Sequence, residues 1–245
     1  LFLNYCRYSA MRNFSLLLFL FSLSFSTLYA QKSTELGILL GRSYYLGEIN
    51  PDHHYGNETG SLTYGAVFRY NLNMRYSLKA TLSQTTLQAA DINNELLFNQ
   101  ARNAEFENQI TELATSIEFN FLPYAIGNED YFFSPYLFFG LNLIDSNPET
   151  LINGTEVVGE PVDDQLLLAY SFGPGFKLGL GRRFSLAFEW GFRKTGTDYL
   201  DGLPNLINDT YEQGKTYDND WFVSSIFMLT YRVNKVGPCP AYNNF

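Results

Sequence analysis

Few side chains in this sequence have the types and spacing that catalysis requires. The only two histidines, His53 and His54, are adjacent, so on an extended loop they point in different directions. A lipid-processing enzyme would need a histidine beside a serine or a carboxylate. Acids are abundant in this sequence, but it contains no strained nucleophile motif. We therefore interpret the histidines as part of a solvated loop and predict that the protein is not an enzyme.

The acidic residues also lack the spacing of a metal site. Most of the 25 Asp and Glu residues fall between hydrophobic stretches, without the dense Asp-x-Asp-x-Asp-Gly spacing of a calcium loop. We expect no bound metal and no organic cofactor. The formal net charge of −9 excludes a basic, nucleic-acid-binding protein.

The first thirty residues have the layout of an export signal. Met11-Arg12-Asn13 supplies a start and a positive charge, an apolar stretch follows, and Ala30-Gln31 is a plausible cleavage site. Residues 1–10 lack an initial Met and are interpreted as an extension of the gene model, and residues 11–30 as the signal peptide. A retained amphipathic anchor is the alternative. Residues 31–245 are predicted to form one domain, in which Cys239 is the single cysteine and cannot form an internal disulfide.

Apolar and polar residues alternate with a period of two along the predicted domain. Between Leu168 and Leu180 the even positions except Pro174 are large and apolar, and the odd positions are small or polar. A helix would scatter both sets around its axis. The same pattern predicts eight strands, at residues 36–47, 62–72, 76–87, 106–121, 132–144, 165–180, 184–195 and 221–233. Most reach the roughly 9–11 residues that a tilted strand needs to cross a bilayer.

The links between these strands alternate in length. Short links are predicted at 71–75, 123–131 and 181–183, and long links at 48–61, 88–105, 145–163 and 196–218. Short periplasmic turns and long extracellular loops are typical of outer-membrane barrels. The sequence therefore predicts an all-β fold, an eight-stranded antiparallel up-and-down transmembrane β-barrel in the outer membrane of a Gram-negative cell.

The apolar face of each strand is assigned to lipid and the polar face to the barrel lumen. This assignment turns charges of both signs inward, namely Glu35, Glu112, Glu118, Glu189, Arg69, Lys79, Lys177, Arg193 and Arg232. Because unpaired buried charges are costly, we expect the lumen network to pair Glu112, Glu118 and Glu189 with Arg69, Lys177 and Arg193. A secreted, lipocalin-like barrel is the alternative and would reverse the two faces.

Several motifs together resemble one known family. They are the segments Thr34–Pro51 and Tyr64–Asn73, Glu118-Phe119-Asn120-Phe121 with Pro123-Tyr124 after it, and the Cys-Pro-x-Tyr pattern of Cys239, Pro240 and Tyr242. On these residues the chain resembles the PorG family of the Bacteroidetes type IX secretion system.

The resemblance implies a non-enzymatic outer-membrane barrel that ties a periplasmic ring of PorK-like and PorN-like proteins to the membrane. Such a component supports protein transport and, in gliding species, motility. Its partner-binding surface must face the periplasm, and the residues available there are Pro123, Tyr124, Arg182, Arg183, Cys239, Pro240 and Tyr242. Tyr124 and Tyr242 are the expected anchors, because aromatic residues dominate small interfaces. The alternative is a free-standing barrel of the OmpA or OmpX type that binds lipopolysaccharide or host surfaces through its acidic loops.

Overall fold

Eight long strands form a closed antiparallel barrel in the computed structural model of the protein. They are β1 (Ser33–Leu46), β2 (Ser61–Asn71), β3 (Tyr76–Ala90), β4 (Ala104–Asn120), β5 (Phe133–Ile152), β6 (Leu166–Leu180), β7 (Phe184–Thr195) and β8 (Trp221–Arg232). Each strand pairs with its neighbours in chain order, and β8 pairs with β1 to close the sheet. The predicted up-and-down, eight-stranded barrel is confirmed.

The structure describes residues 32–47, 49, 60–93, 103–156, 166–196, 200, 202, 206–207, 211–212 and 219–234. The predicted signal peptide, the histidine pair and the C-terminal segment that contains Cys239, Pro240 and Tyr242 lie outside these residues. Within the described ranges, no helix is long and apolar enough to cross a bilayer.

The outer surface of the barrel is apolar, and the inner surface is polar. Large side chains such as Ile38, Phe139 and Phe227 are at least half exposed on the outside. Glu35 and Arg69, which alternate with such residues along the strands, are fully buried. The lipocalin-like alternative would place the apolar residues inside and is therefore wrong.

Two of the predicted long loops begin later than expected, because β3 and β5 continue past the predicted strand ends. β5 stays paired with β4 up to Ile152, which lies opposite Ala104. The chain then reverses through Asn153 and Gly154, whose φ angles are 51° and 74°, into the short strand Thr155–Glu156. Asn-Gly with positive φ at both positions is the signature of a type I′ hairpin turn. The prediction of a loop from residue 145 onward was wrong for this reason.

A charge placed on the apolar band should destabilise the barrel in a lipid bilayer. Leu137 faces outward near the middle of the β5 apolar face, so Leu137→Arg should lower the free energy of unfolding by about 2–4 kcal/mol. Urea titration of the protein folded into lipid vesicles measures this change. Glu149→Arg is the matched control, because Glu149 faces outward on the same strand beyond the apolar residues and lies opposite Glu107. An equal loss of stability in both variants would contradict the assignment of the faces.

Candidate functional site

A network of buried charges in the lumen centres on Glu118, in the half nearer the short turns. Arg69 donates from Nε to Glu118 Oε2 at 2.9 Å and from Nη1 to Glu35 Oε2 at 3.0 Å. The Lys177 ammonium lies 2.6 Å from Glu118 Oε2, and that of Lys79 lies 3.4 Å from Glu118 Oε1. One carboxylate on β4 therefore holds cations from β2, β3 and β6.

The other two acidic side chains in this half of the lumen, Glu189 and Glu35, also have ion-pair and hydrogen-bond partners. Glu189 forms an ion pair with Lys79 and accepts a hydrogen bond of 3.0 Å from the Tyr136 hydroxyl. Glu35 accepts a hydrogen bond of 2.6 Å from the Thr230 hydroxyl in addition to that from Arg69. Every carboxylate in this half of the lumen thus has a cationic partner.

A second ion pair lies closer to the long loops. Arg193 donates from Nε to Glu112 Oε1 at 2.9 Å, and Asn142 donates its amide to the same carboxylate. Ser171 in turn donates to the Asn142 carbonyl oxygen at 2.7 Å. This chain of polar contacts joins β4, β5, β6 and β7 across the lumen.

The structure places all six residues of the predicted lumen network inside the barrel and in ion pairs. Glu118 meets Arg69 and Lys177, and Glu112 meets Arg193. Glu189 differs from the expectation, because its cation is Lys79 and not one of the three bases named for it. Four acids and four bases balance in these pairs, and the fifth predicted base, Arg232, instead donates to a backbone carbonyl at the rim.

Aromatic rings fill the space between the charges. The Lys79 ammonium lies 4.5 Å from the Phe138 ring centroid, and that of Lys177 lies 4.6 Å from the Tyr136 centroid. Gly175 on β6 makes room for Tyr136, since a Cβ atom there would lie 2.5 Å from the ring carbon Cζ. A glycine at position 175 is thus required by the ring that crosses from β5.

The segment between β4 and β5 folds back into the barrel and fills the opening at the short-turn end. Tyr124 and Ile126 are both only 3% exposed, and the Tyr124 hydroxyl shares a hydrogen bond of 2.5 Å with Ser185. The guanidinium of Arg232 donates to the carbonyl oxygen of Ile126 and holds the segment in place. Burial raises the pKa of the Tyr124 phenol well above its ordinary value.

The partner contact predicted at Tyr124 is therefore not available in this structure, because the ring points into the barrel. Pro123 is half-buried, whereas Arg182 and Arg183 in the turn between β6 and β7 are exposed. Next to them lies a cleft of about 610 Å³. The cleft is lined by the segment between β4 and β5 and by the residues around the turn between β6 and β7, namely Gly127, Asn128, Glu129, Phe132, Gly179, Gly181 and Arg182. The short-turn rim thus keeps a charged, accessible surface around a filled opening.

An apolar cluster occupies the other end of the lumen. It includes Tyr45, Leu87 and Phe106 from the strands, together with Ile49 and Leu200 from the long connections. A buried carboxylate ties these parts together, because Asp220 accepts hydrogen bonds from the Tyr45 hydroxyl at 2.7 Å and from the Leu200 amide at 3.0 Å. The sequence patterns gave no indication of this cluster, since two of its members lie outside the alternating strands.

The described lumen carboxylates are all engaged with partners inside the barrel. Each is at most 4% exposed, because the surrounding side chains enclose it. Among the residues described, no three His, Cys, Asp or Glu side chains are grouped so that they could hold a metal ion.

Comparisons with known proteins give one family and a set of small barrels. The family described as "Domain of unknown function (DUF6089)" matches residues 11–243. Among solved structures, the chain is similar to Neisserial surface protein A, with 9% identity over 80% of this chain and 95% of that chain, and a TM-score of 0.45. The attachment invasion locus protein Ail of Yersinia pestis is 11% identical over 82% of this chain and 97% of that chain, with a TM-score of 0.42. OprG from Pseudomonas aeruginosa is 11% identical over 84% of this chain and 97% of that chain, with a TM-score of 0.39. The search of curated proteins found no match.

Removing the central carboxylate should destabilise the barrel strongly. Glu118→Gln leaves Arg69 and Lys177 buried beside a neutral amide, so the free energy of unfolding should fall by about 3–5 kcal/mol. Tryptophan fluorescence during urea titration in lipid vesicles reports the transition. The control is Glu107→Gln, on the outer face of the same strand, which should change stability by less than about 0.5 kcal/mol. Similar stability of the two variants would show that the network does not hold the lumen together.

Proposed function

We propose that this chain, which belongs to the DUF6089 family, is a sealed outer-membrane β-barrel with a structural, non-enzymatic role. The apolar outer surface and the closed sheet support the membrane location, because closed barrels satisfy every backbone hydrogen bond within the sheet. Barrels with such an exterior and an even number of antiparallel strands belong to the bacterial outer membrane.

The filled lumen is the observation that supports a structural role. The ion pairs around Glu118, the rings of Tyr136 and Phe138, and the inserted Tyr124 occupy the interior of the barrel. An eight-stranded barrel is just wide enough for such side chains. Solute passage would require their displacement, so the function must lie on the rims and not in the lumen.

The more specific role that we propose is that of a component of the type IX secretion machinery. The sequence resemblance to the PorG family supports this role, and most of its residues lie on β1 and β2. On this proposal the barrel anchors the ring of PorK-like and PorN-like proteins to the outer membrane. The exposed Arg182 and Arg183 and the C-terminal segment with Cys239, Pro240 and Tyr242 supply the contact. Two adjacent cations would steer an acidic partner surface toward the rim.

The sealed lumen predicts that the folded protein does not conduct ions as a porin does. In planar lipid bilayers, the purified barrel should give no large, stable single-channel steps. Replacement of the inserted side chains by Tyr124→Ala and Ile126→Ala should increase leakage, because both side chains fill the opening. Large, stable conductance of the unmodified protein would contradict the proposal of a structural barrel.

The secretion role predicts that charge reversal at the short-turn rim breaks the contact with the ring. Arg182→Glu combined with Arg183→Glu should reduce co-purification of the ring proteins at least tenfold and should reduce secretion. Lys32→Glu combined with Arg75→Glu is the matched control, because it changes the same charge on the same rim outside the cleft.

Deletion of residues 237–245, in cells where the barrel still assembles, tests the C-terminal part of the contact. Heat-modifiable migration on gels verifies that each variant is folded. If the ring co-purifies unchanged with both the charge-reversed and the shortened protein, the periplasmic contact is not where we propose it.

A further inference from the structure

The lipid-facing surface of two strands ends in a basic side chain at the long-loop rim. On β1 the outward residues from Leu36 to Leu40 are apolar, and the next outward residue is the exposed Arg42. On β7 the outward face is apolar from Phe184 to Phe192, and the next outward residue is the half-buried Lys194. Both bases therefore stand where the apolar band ends.

These two bases lie on the same side of the barrel, on the strands that flank β8. Arg42 lies opposite Ser225 of β8, and Lys194 lies opposite Trp221. With strands about 4.8 Å apart and a rise of about 3.4 Å per residue, the two Cα atoms are roughly 17 Å apart. Arginine and lysine side chains are long enough to reach a single headgroup that lies over β8.

Elsewhere the same boundary is neutral or acidic. The first outward residues beyond the apolar band are Gln84 on β3, Thr111 on β4 and Asp145 on β5. Beyond Asp145, Glu107 and Glu149 face outward at opposing positions of β4 and β5, on the side of the barrel away from β8. In the described part of this rim, the outward-facing bases are thus confined to the strands beside β8.

Among the residues that the structure describes, no carboxylate forms an ion pair with either of these two bases. Arg42 forms no hydrogen bond or ion pair with any described residue. The ammonium of Lys194 lies 4.9 Å from the Trp221 ring centroid, and Tyr170, which is half exposed, lies opposite Lys194 on β6. Cations at a membrane boundary favour anionic headgroups, and the rings beside Lys194 can lie among the acyl chains while its ammonium meets the headgroup charge.

We propose that Arg42 and Lys194 form a binding site for the phosphorylated headgroup of lipopolysaccharide. The outer leaflet of a Gram-negative outer membrane consists of this lipid, and its phosphates lie between the acyl chains and the sugars, at the level where the apolar band ends. Phosphate oxygens accept charge-assisted hydrogen bonds from guanidinium and ammonium groups. The inference rests on the proposed outer-membrane location and is independent of the ring partner.

Binding of lipid A to the full-length folded barrel in detergent, measured by native mass spectrometry, tests this site. Each of Arg42→Gln and Lys194→Gln should weaken binding of bisphosphorylated lipid A about fivefold. The double variant should lose more than either single variant. Lys32→Gln combined with Arg75→Gln removes two exposed bases from the opposite rim and should leave the affinity unchanged.

The ligand is varied in the same measurement. Lipid A from which the phosphates have been removed should bind wild-type and double-variant barrels equally, as should phosphatidylethanolamine. The proposal is overturned if the double variant retains wild-type affinity for bisphosphorylated lipid A or if the opposite-rim control loses as much. The proposal is also overturned if the double variant changes only self-association of the barrel. The two bases would then bind the outward-facing acids of β4 and β5 on a second copy of the chain. Fractionation of intact cells tests the outer-membrane location separately.

Discussion

Closure of the sheet by the pairing of β8 with β1 is the constraint on which the rest of the structure depends. A barrel with an apolar outside has no water there to satisfy an open strand edge, so every backbone group must find its partner within the sheet. Eight strands enclose a lumen only wide enough for side chains. Any charge that points inward is therefore desolvated, and it must meet an opposite charge inside the barrel.

The lumen contents follow from this constraint. Glu118 joins three cations from three other strands. The separate pair of Glu112 and Arg193 connects β4 to β7 in the half of the lumen nearer the long loops. The two ends are filled differently, by Tyr124 and Ile126 at the short turns and by an apolar cluster at the long loops. With the interior occupied in this way, what distinguishes the molecule is the chemistry of its rims.

The alternating pattern was sufficient to predict the strands, the faces and the inward charges, because a period of two is that of a β-strand and places successive side chains on opposite faces of the sheet. It was insufficient for features that depend on contacts across the lumen. Glu189 of β7 forms its ion pair with Lys79 of β3, which lies across the lumen. The spacing of residues in the sequence does not indicate which side chains meet across the lumen. The burial of Tyr124 depends likewise on a turn that folds back into the barrel. The hairpin at Asn153 and Gly154 could have been predicted, since Asn-Gly between two strand segments is a recognised turn signal.

Solvent access to the middle of the lumen tests the sealed-barrel account most directly. Ser171 is 2% exposed and faces inward on β6, so a cysteine there, in a Cys239→Ser background, reports on water inside the barrel. A membrane-impermeant maleimide should leave Ser171→Cys unmodified in the folded protein in lipid vesicles and should label it fully after unfolding in urea. Rapid labelling of the folded protein would mean that the lumen is an aqueous channel and would contradict the account.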